Sequence, residues 1–209
     1  MFPTRRSRRF VSKGGKGARH GSGGFRAGVD LTWRLDDIKR ALWAHFGVGR
    51  SAEILELHRR RPGLITPYTL DYAQHGAEAA ARVDAATGRA LELAVQEQLD
   101  RVLARYDALV LPTVGATSFA AGEGYVGTKL VVDGGELDHF SDASLTPAFN
   151  ICSAHPVVAV PSGRAWHGVP TGVQVVAGRW ADTTAFRVAA AIERGARAGC
   201  AGHRRPVVA

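Results

Sequence analysis

Two cysteines, Cys152 and Cys200, are all that the 209 residues contain. They are too few for a disulfide scaffold and show no Cys-x-x-Cys metal spacing, so a reducing cytoplasm is the compartment expected. No stretch approaches the ~18 consecutive apolar residues of a membrane span, and no apolar segment follows the N-terminal charges as a secretory signal requires. Gly-x-Ser-x-Gly is absent, which removes the α/β-hydrolase elbow. Lysine is scarce, four of 27 cationic side chains. Acidic residues are missing altogether from residues 1–28, and no internal repeat is found.

What is present divides unevenly. The formal charge of +8 and the pI near 10.2 suggest an anionic partner. Yet the basic residues at 5, 6, 8, 9, 13, 16, 19 and 26 account for that whole excess, and the body from residue 29 is neutral. Residues 1–28 are Arg, Lys, Gly and Ser with few large apolar groups, which cannot offset the entropy of ordering. We read them as a disordered basic leader, followed by one domain over 29–199 and a frayed tail over 200–209. The Gly21-Ser22-Gly23-Gly24 run lies in the leader with no strand before it and reads as linker rather than phosphate cradle.

Along the body, Leu35, Ile38, Leu42, Trp43 and Phe46 recur at helical spacing. They predict a helix ending near Gly47 and Gly49, then a second short helix around Ile54–His58 stopped by Pro62-Gly63. Leu70 to Tyr106 predicts a long Ala-rich helix, with Ala73, Ala80, Ala94, Val95 and Leu99 on one face and acidic and Arg residues opposite. Ala108–Leu111 is a compact strand closed by Pro112. Asp133-Gly134-Gly135 predicts a hairpin turn. Val157–Val160 and Gly172–Val176 read as strands joined by a turn through Ser162–Pro170, and Asp182 or Thr183 is expected to cap a last helix ending near Gly195 or Gly199.

Candidate chemistry is thin. Cys152 and His155 could pair as thiolate and base, but the cysteine sits in an apolar run that raises a thiol pKa and no third group orients the pair. A packed cysteine and a turn histidine before Pro156 is the expectation. Asp138, His139 and Asp142 could make half a metal site, without the partner ligands or spacing that would complete one. Trp33, Trp43, Trp166 and Trp180 are scattered, not interleaved with basic residues, and so do not form a base-stacking platform.

Five segments in order carry more: Tyr106-Asp-Ala-Leu-Val-Leu-Pro-Thr113, Thr146-Pro-Ala-Phe-Asn150, His155-Pro-Val-Val-Ala-Val-Pro-Ser-Gly163, Gly168-Val-Pro-Thr-Gly-Val-Gln-Val-Val-Ala-Gly178 and Val188-Ala-Ala-Ala-Ile-Glu193. Together they resemble the C-terminal part of the amidase signature family, tightly from residue 106 and loosely over 29–105. The resemblance implies an α/β, partial amidase-signature fold with helices covering a small mixed sheet, and hydrolysis of carboxamides to acid and ammonia or amine. It implies catalysis by a Lys, a cis-bonded Ser and a nucleophilic Ser, the serines within a Gly-Gly-Ser-Ser-Gly-like signature. The sequence contains no Ser-Ser dipeptide, and Lys13, Lys16, Lys39 and Lys129 lack the family's surrounding motif. No catalytic or substrate-binding residue, cofactor or metal is therefore assigned. Asp142 stands near, but out of step with, an Asp that some relatives carry before the Asn loop. Phe149 and Asn150 match a loop that the family closes beside its substrate cleft.

The reading is an amidase-family fragment that does not turn over amides alone. Its partners are a small-molecule amide and a protein chain completing the fold, with no membrane. The rivals are one half of a split amidase, and a non-catalytic module whose basic leader binds nucleic acid; the neutral body ranks the latter last.

Overall fold

The computed structural model describes residues 28–116, 119–120, 122, 124–132 and 134–197. The leader, Asp133, Gly199, Cys200 and the tail expected over 200–209 lie outside the described residues, apart from residue 28 of the leader.

Helices α1 (Leu35–Leu42) and α2 (Val48–Arg60) are joined without a loop by a π-turn over Trp43–Gly47. The helical path therefore does not end at Gly47 or Gly49 as predicted. Gly47 is helical, and a Cβ there would stand 2.8 Å from the carbonyl oxygen of Gly76. The glycine permits close approach of two helices rather than a stop.

The predicted long helix is two, α3 (Pro67–Ala80) and α4 (Ala85–Leu103). The break falls at neither Gly76 nor Gly88. It falls at Asp84, whose carboxylate accepts hydrogen bonds from the Thr87 amide and hydroxyl at 2.9 and 2.6 Å and caps α4. Both glycines lie at crossings: an added Cβ at Gly76 would meet Ser51 Oγ at 2.6 Å, and one at Gly88 would meet Ala44 Cβ closer still. Ala73, Ala80, Val95 and Leu99 are buried as expected, but Ala94 is exposed and Glu92, placed on the outer face, is buried. The π-turn packs across α4 there, and Glu92 is paired with His45 at 2.5 Å and Arg89 at 2.7 Å.

Strand β1 (Ala108–Pro112) leads to a two-residue hairpin, β2 (Val131–Val132) and β3 (Gly135–Glu136), with Gly134 at a φ of +75° as the predicted turn requires. After the short helix α5 (Pro147–Asn150), β4 (Val157–Arg164) and β5 (Pro170–Ala177) form a longer hairpin than predicted, and α6 (Asp182–Arg197) closes the described chain. Asp182 is the first residue of α6, so it lies inside the helix.

The sheet order is β1-β5-β4. The α/β class is as expected, with helices over a small sheet. Both pairings in it are antiparallel, so any parallel component of a mixed sheet lies outside the described strands. β5 is central and buries Val175, Val176 and Ala177, while Pro112 and Pro161 sit on the outer strands, where a missing ladder donor is tolerated. Packing of α6 against β4 and β5 buries Ala185 and Ala189. On α1 and α4, Ile38, Val95 and Leu99 join Phe149, Ile151 and Val176 in one core.

Candidate functional site

Gln174 begins the construction of the site. Its buried amide nitrogen donates to the carbonyls of Pro112 at 3.0 Å and Leu145 at 3.2 Å, tying the end of β1 to the segment that runs into α5. The Leu145 amide donates back to Thr113. Between this segment, α1 with its π-turn, and α3 lies a cleft of about 580 Å³. Trp43, Phe46, Tyr68, Tyr72, Phe119 and Phe140 give it an aromatic wall, and Lys39, Arg50, Ser141, Asp142, Thr146 and Asn150 bring polar groups to it. Such a balance, mostly apolar with a few placed polar groups, suits a small-molecule site.

The polar side is organised by a 3₁₀ turn over Phe140–Ala143. His139 caps it reciprocally: the Ser141 amide donates to His139 Nδ1 at 3.2 Å, and Asp142 Oδ2 accepts from the His139 amide at 3.3 Å. A ring nitrogen that accepts from a backbone N–H carries no proton, so the proton resides on Nε2 and is donated to Asp71 Oδ2 at 3.1 Å. The Ser141 hydroxyl, 2.7 Å from Nδ1, then donates to the same lone-pair face. His75 stacks on the other side of the ring at 4.3 Å and 10°. Burial, and then the neighbouring His75, hold the His139 imidazole below its ordinary pKa, with Asp71 and Asp142 opposing.

Asp138 and Asp142 do come together, around an ammonium rather than as a ligand set, while the His139 ring turns to Asp71 and Ser141. Lys39 Nζ is 2.6 Å from Asp142 and 4.0 Å from Asp138. Among the described residues no group of three or more His, Cys, Asp and Glu is arranged to hold a metal ion. Phe149 is buried against the Trp33 ring, edge to face at 5.5 Å, whereas Asn150 is exposed and lines the cleft.

Cys152 and His155 lie elsewhere. The thiol is fully buried and pushed up to about 12, first by desolvation and then by the Asp100 charge. His155 turns its Nε2 to Asp100 at 2.9 Å, and Arg179 holds the same carboxylate at 2.6 Å. That network ties α4 to the end of β5 and away from the cleft. Asp71 and Ser141 carry no sequence motif that singles them out. The His-x-Ser spacing is a faint signal, and Asp71 stands 68 positions from His139.

No protein-family model matches the chain. By sequence it is similar to a glutamyl-tRNA(Gln) amidotransferase subunit from Thermotoga maritima, 34% identical over 100 residues, covering 48% of this chain and 19% of that protein. It is also similar to the enantioselective amidase of Rhodococcus rhodochrous, 32% identical over 111 residues, covering 51% of this chain and 20% of that one. By structure it is similar to a bacterial aryl acylamidase of the amidase signature family, with a TM-score of 0.63 and 23% identity, over 79% of this chain and 35% of the other. The chain thus spans about a fifth of the length of these curated relatives. Sequence relatives and structural neighbour point the same way: the described residues share the fold of part of an amidase signature enzyme, and the chain resembles that family over a portion of its length.

Proposed function

We propose that the cleft is one wall of an amide-substrate site, and that the family reaction, carboxamide hydrolysis to acid and ammonia or amine, proceeds here only when a second chain supplies the Lys and Ser-Ser signature. The observation that carries this reading is the placement of Asn150 and Thr146. The Thr-Pro-Ala-Phe-Asn segment that resembles the family's cleft loop delivers both residues to the aromatic cleft. β1 and β4 are the outer strands of the described sheet, where a completing chain would pair. A small-molecule amide is the substrate class, and the cytoplasm, suited to the buried free thiol of Cys152, is the compartment. Ammonia release from simple aliphatic and aryl amides tests the proposal. The purified chain should give none above background, and co-expression with a chain carrying a Gly-Gly-Ser-Ser-Gly-type signature should restore it. Turnover by the purified chain alone would overturn the requirement for a second chain. Thr146→Ala and Asn150→Ala should raise KM in the restored enzyme.

A further inference from the structure

Ser141, His139 and Asp71 form a continuous hydrogen-bonded relay at the wall of the cleft: hydroxyl to Nδ1 at 2.7 Å, Nε2 to carboxylate at 3.1 Å. The geometry points to a second catalytic function, in which Ser141 is a nucleophile toward aryl esters, His139 its base and Asp71 the residue that positions the base. We propose this activity as a property of the present chain, separate from the family's amide chemistry.

Three features support it beyond the distances. The tautomer is set by the backbone, because the Ser141 amide already donates to Nδ1 and Nε2 must carry the proton toward Asp71. The ring is confined, with 7% of its side chain exposed, His75 stacked on it at 4.3 Å and Phe140 tilted against it at 4.1 Å. The imidazole is neutral at neutral pH, as a base must be, with Asp71, His75 and Tyr72 of α3 and Asp142 of its own turn as the titratable groups around it. Lys39 lines the same cleft, its ammonium 2.6 Å from Asp142 and 4.0 Å from Asp138, and it is the cation on that wall toward which a developing oxyanion would turn.

The substrate class follows from the leaving group. Ser141 Oγ attacks the ester carbonyl as its proton passes to His139 Nδ1, and the tetrahedral adduct expels an aryloxide that takes this proton from the imidazolium, leaving as a phenol and His139 neutral again. The aromatic wall of Trp43, Tyr68, Tyr72 and Phe140 fits that aryl group. Water then attacks the acyl-serine, His139 takes and returns its proton, and the carboxylic acid leaves with the Ser141 hydroxyl restored. The sum is ester plus water to acid plus phenol. An aryl ester is favoured over an amide because a phenolate is by far the better leaving group.

The test uses the full chain with diisopropyl fluorophosphate, followed by peptide mass mapping, and with p-nitrophenyl butyrate. One phosphoryl group should be found on Ser141, with fluoride lost and the proton taken by His139. Ser141→Ala should abolish both labelling and nitrophenol release. His139→Gln should slow labelling by roughly 100-fold or more, the size of a lost general base. The labelling rate should rise with pH to a plateau with its midpoint below 6.5, and Asp71→Asn, which removes a charge favouring the imidazolium, should move that midpoint lower still. A midpoint that stays in place in Asp71→Asn means that His139 is not the titrating base and overturns the assignment. Label found on another residue, or no label on Ser141 in a chain whose near-ultraviolet circular dichroism shows it folded, overturns the proposal. This readout needs no second chain and no amide, so its failure is distinct from failure of the function proposed above.

Discussion

Lys39 and Asp142 are 103 positions apart in sequence and 2.6 Å apart in space, and the Asp142 side chain is only 6% exposed. The pair joins α1 to the 3₁₀ turn that carries Ser141, so it holds the two sides of the cleft together. A carboxylate this buried depends on its cation, because a buried charge left without a partner is costly.

Lys39→Met should therefore destabilise the chain by about 2 kcal/mol, below the full cost of breaking a buried pair because the lysine is partly exposed. Combining it with Asp142→Asn should recover part of the loss. Urea midpoints at neutral pH, at an unchanged m-value, check both.

The glycines of the helical layer should separate by position. Gly76→Ala places a Cβ 2.6 Å from Ser51 Oγ, and Gly88→Ala places one closer still to Ala44 Cβ. Overpacking of about 1–3 kcal/mol should exceed the ~1 kcal/mol gained in helix propensity. Gly49, also helical, has nothing within 4 Å of its would-be Cβ. Gly49→Ala should stabilise by up to about 1 kcal/mol. Thermal midpoints of the three variants measure the contrast.

Acid should weaken the fold in two stages. His139 has a folded pKa below its ordinary 6.5, chiefly from burial, so its contribution is complete above pH 6.5 and is lost as pH falls below it. Asp100 is lowered from 3.8, first by its hydrogen bonds from Arg179, so its contribution is complete above pH 3.8 and is lost as pH falls through the folded value. In urea titrations across pH, His139→Gln should flatten the first stage and Arg179→Met the second. An unchanged profile in either variant counts against that assignment.

Cys152 should resist alkylation. With the thiol buried and pushed to about 12, almost no thiolate exists at pH 8. Iodoacetamide should label the Cys152 peptide only after denaturation, as read by mass mapping. Rapid native labelling would show that the α5 region opens.

Some elements were legible because they are local. Ala108–Pro112 and the β4–β5 hairpin are compact apolar runs ended by Pro and Gly, and Asp133-Gly134-Gly135 specifies its turn through backbone conformations that few residues other than glycine adopt readily. The helical layer was only half legible. Periodicity located Ala73, Val95 and Leu99 in the core, but it read Gly47 as a helix end, whereas Gly47, like Gly76 and Gly88, sits at a close helix contact whose partner is distant in sequence. Asp84, an unremarked acidic residue in an Ala-rich run, was the true boundary.

The chain's order of residues by itself determined the α/β character, the hairpins and the family resemblance, because these rest on short-range patterning and on motif order. The tertiary structure alone decided which polar residues meet. It paired Glu92 with His45, and Lys39 with Asp142, and it brought Asp71 to His139. The physical reason is that hydrogen bonds and ion pairs are set by distances of about 3 Å between side chains, and pairs 47, 103 and 68 positions apart meet only when the helices and the 3₁₀ turn have packed.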